Sequence, residues 1–192
     1  MFHKGDAVLY GSQGVCRVAD IAEIDFSGQL TEYYVLKPVY QENSTIYVPV
    51  HHPLQTGKMR RVLSADEIYQ MIKEMPNEAS AWIENENERK AAYKEILLRG
   101  DRGELIRVIK ALYLHQQERQ AQGKKMHVSD ERFFKEAEKL LYDEFAMVLK
   151  IKPEEVLPFI LEQLRAEEAQ PEQEPPEKQQ AEEQTTTTDR NS

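Results

Sequence analysis

Through roughly the first 60 residues apolar positions alternate with polar ones, and beyond that they recur every three to four residues. The chain therefore divides into a β-rich half and a helical half. The run Ala7-Val-Leu-Tyr10 follows the turn formers Gly5 and Asp6, and Gly11 and Gly14 supply the permissive φ that a tight reversal needs. Three further runs rich in β-branched and aromatic residues come next, Val15 to Ile24, Tyr33 to Tyr40 and Thr45 to Val50. Phe26-Ser27-Gly28 and Gln41-Glu42-Asn43-Ser44 read as the turns between them. This spacing predicts a compact antiparallel β-barrel over residues 1–58, with a boundary near Gly57 to Val62.

Helical periodicity then holds over residues 62–164. Ser64-Ala-Asp-Glu67 is a capping box, and the helix it opens stops before Pro76. A second helix is predicted from about Ser80 to Leu98, with Gly100 as its left-handed cap. Asp101-Arg-Gly-Glu104 opens a third, whose Leu105, Val108, Ile109 and Leu112 form one stripe and which Gly123 closes. A fourth starts near Ser129 and turns Phe133, Phe134, Ala137, Leu141, Phe145 and Val148 to the same core. A fifth begins at Pro153, and Pro158 inside it predicts a bend or an early end. The fold class expected is α+β in separate domains: a small SH3-, Tudor- or KOW-like barrel, then an all-α bundle of four or five helices.

Charge changes this picture at two places. The net charge of −9 is unevenly spread: residues 165–192 carry eight acidic and three basic side chains, a net of −5. That segment, with Pro171, Pro175, Pro176 and the run Thr185 to Thr188, has too few apolar residues to offset ordering entropy and is expected to be a disordered acidic tail. Between Arg89 and Lys110 seven basic residues face three acidic ones, a net of +4. A solvated helix face and a phosphate-binding surface both fit that run. No apolar stretch reaches the roughly 18 residues of a membrane span, and the start of the chain lacks a signal-peptide pattern, so a cytoplasmic protein is expected. Cys16, the single cysteine, alternates into a strand and is expected to pack as a small apolar side chain.

Catalytic constellations are weak. His51 and His52 are adjacent and would point to opposite faces of a strand, and Glu84, Glu86 and Glu88 fan around a helix. Neither a Gly-rich phosphate loop nor a nucleophile elbow is present. The expectation is a binding protein, with no enzymatic activity, no cofactor and no metal.

Several of these residues carry a resemblance. Lys4-Gly-Asp-Ala-Val-Leu-Tyr10, Glu32-Tyr-Tyr-Val-Leu-Lys37, Tyr47-Val-Pro49, Trp82, Gly100-Asp101 and the helix from Asp130 to Phe145 together resemble the CarD family of bacterial transcription regulators over about residues 1–164. The resemblance implies a Tudor-like domain that docks on the RNA polymerase β subunit, and a helical domain that touches promoter DNA at the upstream fork of the melting bubble. It implies stabilisation of the open complex with little sequence dependence, by a protein acting as a monomer.

On that basis the polymerase-binding residues expected are Ile24, Tyr33, Lys37, Ile46, Tyr47, Val48 and Pro49, and Ile46-Tyr47-Val48 could add as a strand to a partner sheet. The chain departs from the family where Ile24 and Tyr47 stand, since arginine can occupy those positions, so the contact would be more apolar here. Packing inside the barrel is the other reading of Tyr47. The DNA-binding residues expected are Trp82, Arg89, Lys90, Lys94, Lys124 and Lys125. The resemblance makes Trp82 a minor-groove wedge, whereas the residues alone also suit a plug in a helix seam. An RNA- or ribosome-associated barrel protein and a protein adaptor without nucleic-acid contact are the alternatives.

Overall fold

In the computed structural model, residues 1–26, 28–41 and 43–168 are described. Five strands form one antiparallel sheet: β1 (Ala7–Tyr10), β2 (Val15–Asp25), β3 (Leu30–Pro38), β4 (Ile46–Pro49) and β5 (Met59–Arg61), in the order β4-β3-β2-β1-β5. A 3-10 turn at Gly11–Gln13 joins β1 to β2, and a one-turn helix, α1 (Pro53–Thr56), leads from β4 to β5. The alternation read from sequence sorts side chains onto two faces. Val8, Cys16, Val18, Tyr34, Leu36, Val48 and Met59 form the buried core of the sheet. A bulge between Val18 and Asp20 shifts the β2–β3 register, so that Ala22 pairs Tyr33 and Ile24 pairs Thr31.

Strand β5 lies beyond the expected end of the barrel at residue 58. It pairs Val8 with Arg61 and Tyr10 with Met59, and it makes β5 one edge of the sheet while β4 makes the other. Three residues with two arginines carry little strand signal; their pairing is decided by Met59 filling the core.

Among the described residues five helices follow: α2 (Ala65–Glu74), α3 (Glu86–Arg99), α4 (Arg102–Ala121), α5 (Val128–Leu149) and α6 (Pro153–Glu168). The capping box at α2 is complete, with Glu67 N donating to Ser64 Oγ at 3.2 Å and Ser64 N to Glu67 Oε2 at 2.8 Å. Gly100 caps α3 in the left-handed region at φ 61°. Helix α6 runs through Pro158 to Glu168 without the expected early end, because Val156 and Ile160 are buried in the same core as Leu141 and Phe145. Residues 165–168, expected in the acidic tail, are therefore helical. The rest of that expectation lies outside the described residues.

The two halves meet in a polar joint. Gly100 and Gly11 approach so closely that a Cβ on Gly100 would sit 3.1 Å from the Gly11 carbonyl oxygen. Arg60 donates to the Gly100 carbonyl oxygen at the same place. Glu144, buried on α5, accepts from Leu63 N at 2.8 Å and from Arg102 Nε and Nη2 at 2.7 Å each, while Arg102 Nη2 also donates to the Arg61 carbonyl at 2.9 Å. The α+β class thus stands, with its two units held against each other.

Candidate protein-docking and nucleic-acid faces

The outer face of the sheet gathers aromatic residues. Register puts Ile24, Tyr33, Tyr47 and Pro49 on this face, since Tyr33 pairs Ala22 and Pro49, and Tyr47 pairs Val35. Phe26, at the tip of the β2–β3 hairpin, folds back over them. Its ring lies 5.3 Å from Tyr33 and 5.2 Å from Tyr47, both in edge-on geometry, and the Tyr33 and Tyr47 rings stand 6.5 Å apart. Phe26 is 59% exposed and Tyr47 45% exposed, so Tyr47 is not inside the barrel. Three mutually packed aromatic rings at a surface form a rigid apolar platform of the kind that anchors protein interfaces.

Not every residue expected in this contact shares that face. Val48 is buried in the sheet core and Ile46 packs against it, so these two side chains point inward. Their strand β4 is nonetheless an edge of the sheet, which is what main-chain strand addition requires. Lys37 is exposed on the outer face and its amine reaches Thr45 Oγ1. Phe26 and exposed Leu30 fall outside the contact residues expected from sequence. The signal for Phe26 is a large aromatic beside a turn glycine, with no alternation placing it in the core.

The second face surrounds Trp82, at one end of the helical domain. The expected helix from Ser80 does not form: α3 starts at Glu86, where the Asn85 side chain accepts from Asn87 N at 3.0 Å and Glu88 N at 3.1 Å. Trp82 sits in the irregular segment ahead of that cap. It is half-buried against a cluster that includes Tyr93, Leu112 and Phe133, and its ring stacks on His115 at 3.9 Å and 21°. It is neither a free wedge nor a fully enclosed plug.

Arg89 is the largest departure from expectation. A surface cation was expected, but Arg89 is 3% exposed and forms a two-bond pair with fully buried Asp130, Nε to Oδ1 at 3.0 Å and Nη2 to Oδ2 at 2.9 Å. Its Nη1 donates to the carbonyls of Ile83 and Glu84, at 2.7 and 3.2 Å, and its Cζ lies 4.4 Å from the centre of the Trp82 ring. Helical spacing explains this: Arg89, Tyr93 and Leu97 lie four residues apart and share the buried face of α3. A guanidinium so engaged is not placed to reach phosphate.

The lysines remain outside. Lys90, one position around the helix, pairs with Glu86 at 2.5 Å. Lys94, Lys124 and Lys125 are exposed. Lys124 and Lys125 occupy the α4–α5 loop, which is tied to α4 by Arg119 donating to the Lys125 carbonyl at 2.9 and 3.1 Å. Trp82 stacks on His115, one turn before Arg119 on α4, so this loop and Trp82 lie near the same end of that helix. The imidazole of His115 is held below its ordinary pKa, chiefly by burial.

Among the described residues no group of three or more His, Cys, Asp or Glu could hold a metal, and no helix is long and apolar enough to cross a membrane. Cys16 is fully buried and its thiol pKa is pushed up to about 11 by burial, the opposite of an activated nucleophile.

Comparison with known families matches both halves in order. Residues 2–63 match the family described as CarD-like/TRCF RID domain, and residues 67–162 match the CarD C-terminal domain. No curated protein matches the chain.

Proposed function

The chain belongs to the CarD family, whose members are RNA polymerase-interacting transcription regulators rather than enzymes, and on that premise we propose that it docks on the polymerase β subunit through its sheet and stabilises the promoter open complex through its helical domain. The observation that carries this reading is the joint. The sheet, with its open strand edge, is tied to the helices that carry the half-buried tryptophan, through Arg102 on the Arg61 carbonyl and Arg60 on the Gly100 carbonyl. A protein anchored at one end can then present the other at a set position on the DNA, which converts docking into a local high concentration of the Trp82 face.

In this reading the free edge of β4 adds to a strand of the β subunit, while Phe26, Tyr33, Tyr47, Ile24 and Pro49 supply apolar contact. Where an arginine would pair with an acidic partner, this chain offers Ile24 and Tyr47, so its complementary surface is apolar. The exposed part of Trp82 meets the minor groove at the edge of the melted region, where an inserted side chain stabilises an unstacked step. Lys94, Lys124 and Lys125 contact phosphates and carry no base identity. One copy suffices for both contacts, so the active species is a monomer.

Open-complex lifetime at a test promoter, with and without the full-length protein, tests this. A longer lifetime is expected; retained β-subunit capture with an unchanged lifetime would sink the open-complex reading. The exposed aromatic platform also favours a second reading, stacking of unpaired RNA bases on the sheet. Titration with single-stranded RNA separates the two, because saturable quenching of tyrosine emission at low salt is expected only if bases stack there.

A further inference from the structure

The segment bearing Trp82 has no regular structure from Glu78 to Asn85, yet it is held at close intervals by side chains of the helices behind it. Lys110 Nζ, from α4, donates to the carbonyls of Pro76 and Glu78 at 2.7 and 2.6 Å. The Tyr93 hydroxyl, from α3, donates to the Ala81 carbonyl at 2.9 Å. Arg89 takes the carbonyls of Ile83 and Glu84. Two of these carbonyls, those of Ala81 and Ile83, flank Trp82 directly.

We infer that Lys110, Tyr93 and Arg89 form a backbone clamp that positions Trp82, with Asp130 holding Arg89 in register; they are positioning residues and touch no DNA. This rests on the reading of Trp82 as the DNA-facing residue. An irregular segment loses much conformational entropy when it is ordered, so its fixed shape needs compensating bonds. The donors are matched to that task. Tyr93 is fully buried with its hydroxyl reaching out to the segment, and burial pushes its pKa up to about 12, so it remains a donor at any physiological pH. The planar fork of Arg89 spans a carboxylate and two carbonyls at once, which a lysine in its place could not do. Lys110 spends its ammonium on carbonyls alone, although Glu78 lies within the same segment and pairs with Arg107 at 3.6 Å.

A buried ion pair is weak evidence for stability and better evidence for a specified geometry. A merely structural role for these residues would show in melting temperature and not in the local freedom of the indole. Trp82 is the only tryptophan, so its fluorescence reports this segment alone.

Acrylamide quenching of the full-length protein provides the test, with Lys110→Met removing the donor but keeping the stem, Lys110→Arg restoring a donor, and Arg89→Lys breaking the fork. In folded Lys110→Met the quenching constant should rise about twofold as the segment opens locally, and Lys110→Arg should stay near wild type. Polymerase capture should be unchanged, while open-complex lifetime shortens about tenfold or more, since displacement of a positioned group by even an ångström is costly. Wild-type quenching in folded Lys110→Met overturns the clamp, and that variant decides the question if Arg89→Lys fails to fold. If Trp82→Ala leaves lifetime unaltered, the DNA reading of Trp82 fails, and quenching still judges the clamp.

Discussion

The Glu144 carboxylate receives the Arg102 guanidinium through two bonds of 2.7 Å, and the guanidinium so held donates across the joint between the two halves, from Nη2 to the Arg61 carbonyl at 2.9 Å. Glu144 is 1% exposed, while the Arg102 side chain is 17% exposed. The same carboxylate caps the Leu63 amide at the entry to the helical domain, so a single side chain satisfies three donors from two stretches of chain.

Glu144→Ala should therefore cost about 2–4 kcal/mol, the lower part of the range for breaking a buried pair because Arg102 keeps some water. Calorimetry is the measurement that matters. One cooperative transition in the wild type should separate into two as barrel and helices uncouple, and a single transition of unchanged midpoint would show that the joint does not rest on this residue.

On the sheet, replacing Tyr47 with Glu puts a charge into the exposed aromatic platform, and under the proposed docking β-subunit capture should fall by about tenfold or more, the scale of an interface hot spot. Phe26→Ala should weaken capture less, because it removes a lid and leaves Tyr33 and Tyr47 in place. Circular dichroism of both variants should match wild type, since neither ring is in the sheet core. Full capture by folded Tyr47→Glu would remove this face from the interaction.

Much of the fold is legible in the sequence because local rules and burial agree there. The Ser64 and Asp101 caps, the Gly100 stop and the stripe Leu105, Val108, Leu112 all sit where period and capping chemistry put them. What is not legible depends on contacts distant in sequence. The start of α3 is delayed to Glu86 because Arg89 and Tyr93 grip carbonyls of residues 81–84, and the partner that fixes Arg89 lies 41 positions away. Arg89 reads as one more cation in a basic run because sequence shows charge without showing burial. His115 is invisible for the same reason: nothing in α4 marks it, and only the fold sets it against Trp82. The outer face of the sheet is legible in Tyr33 and Tyr47, but the inward turn of Ile46 and Val48 is a matter of register.

Burial makes Cys16 a silent reporter of barrel opening. With its thiol pKa raised to about 11 and no exposed surface, Cys16 should resist a thiol-specific reagent at pH 8 in the native protein and react fully once denatured. Labelling against denaturant concentration should then follow unfolding of the sheet. Rapid labelling of the native state would show that the barrel opens far below its global unfolding.

His115 should give the helical domain a pH-dependent stability. Its folded pKa lies below the ordinary 6.5, first through burial, which Arg89 and Arg119 reinforce and Asp130 and Glu118 oppose. Because the folded state disfavours the imidazolium, stability should be undiminished above 6.5, fall as the pH drops from there to the folded value, and then level off. Glu138 and Asp143, raised by burial, act with the opposite sign at acid pH, but they are shared by a His115→Phe variant. The difference in melting temperature between wild type and variant isolates His115, and parallel pH profiles would contradict its role.

Trp82 separates the readings of the helical half. A fully enclosed tryptophan would cost about 3–5 kcal/mol on truncation to alanine, and a free one close to nothing. Trp82 is half-buried, stacked on His115 and overlaid by Arg89, so Trp82→Ala should cost an intermediate amount, about 1–3 kcal/mol. The domain should remain folded at moderate temperature, which allows open-complex lifetime to be measured on an intact protein, and that lifetime should fall while β-subunit capture holds. Alanine at Lys94, Lys124 and Lys125 should act differently: weaker DNA association at every sequence, with the salt dependence reduced by about one unit for each phosphate that no longer meets a lysine. Lys90→Ala should do less, because its charge is already paired with Glu86. A folded Trp82→Ala protein with wild-type lifetime, together with a triple lysine variant of unchanged salt dependence, would leave the helical domain without a DNA role and assign it to protein contacts instead.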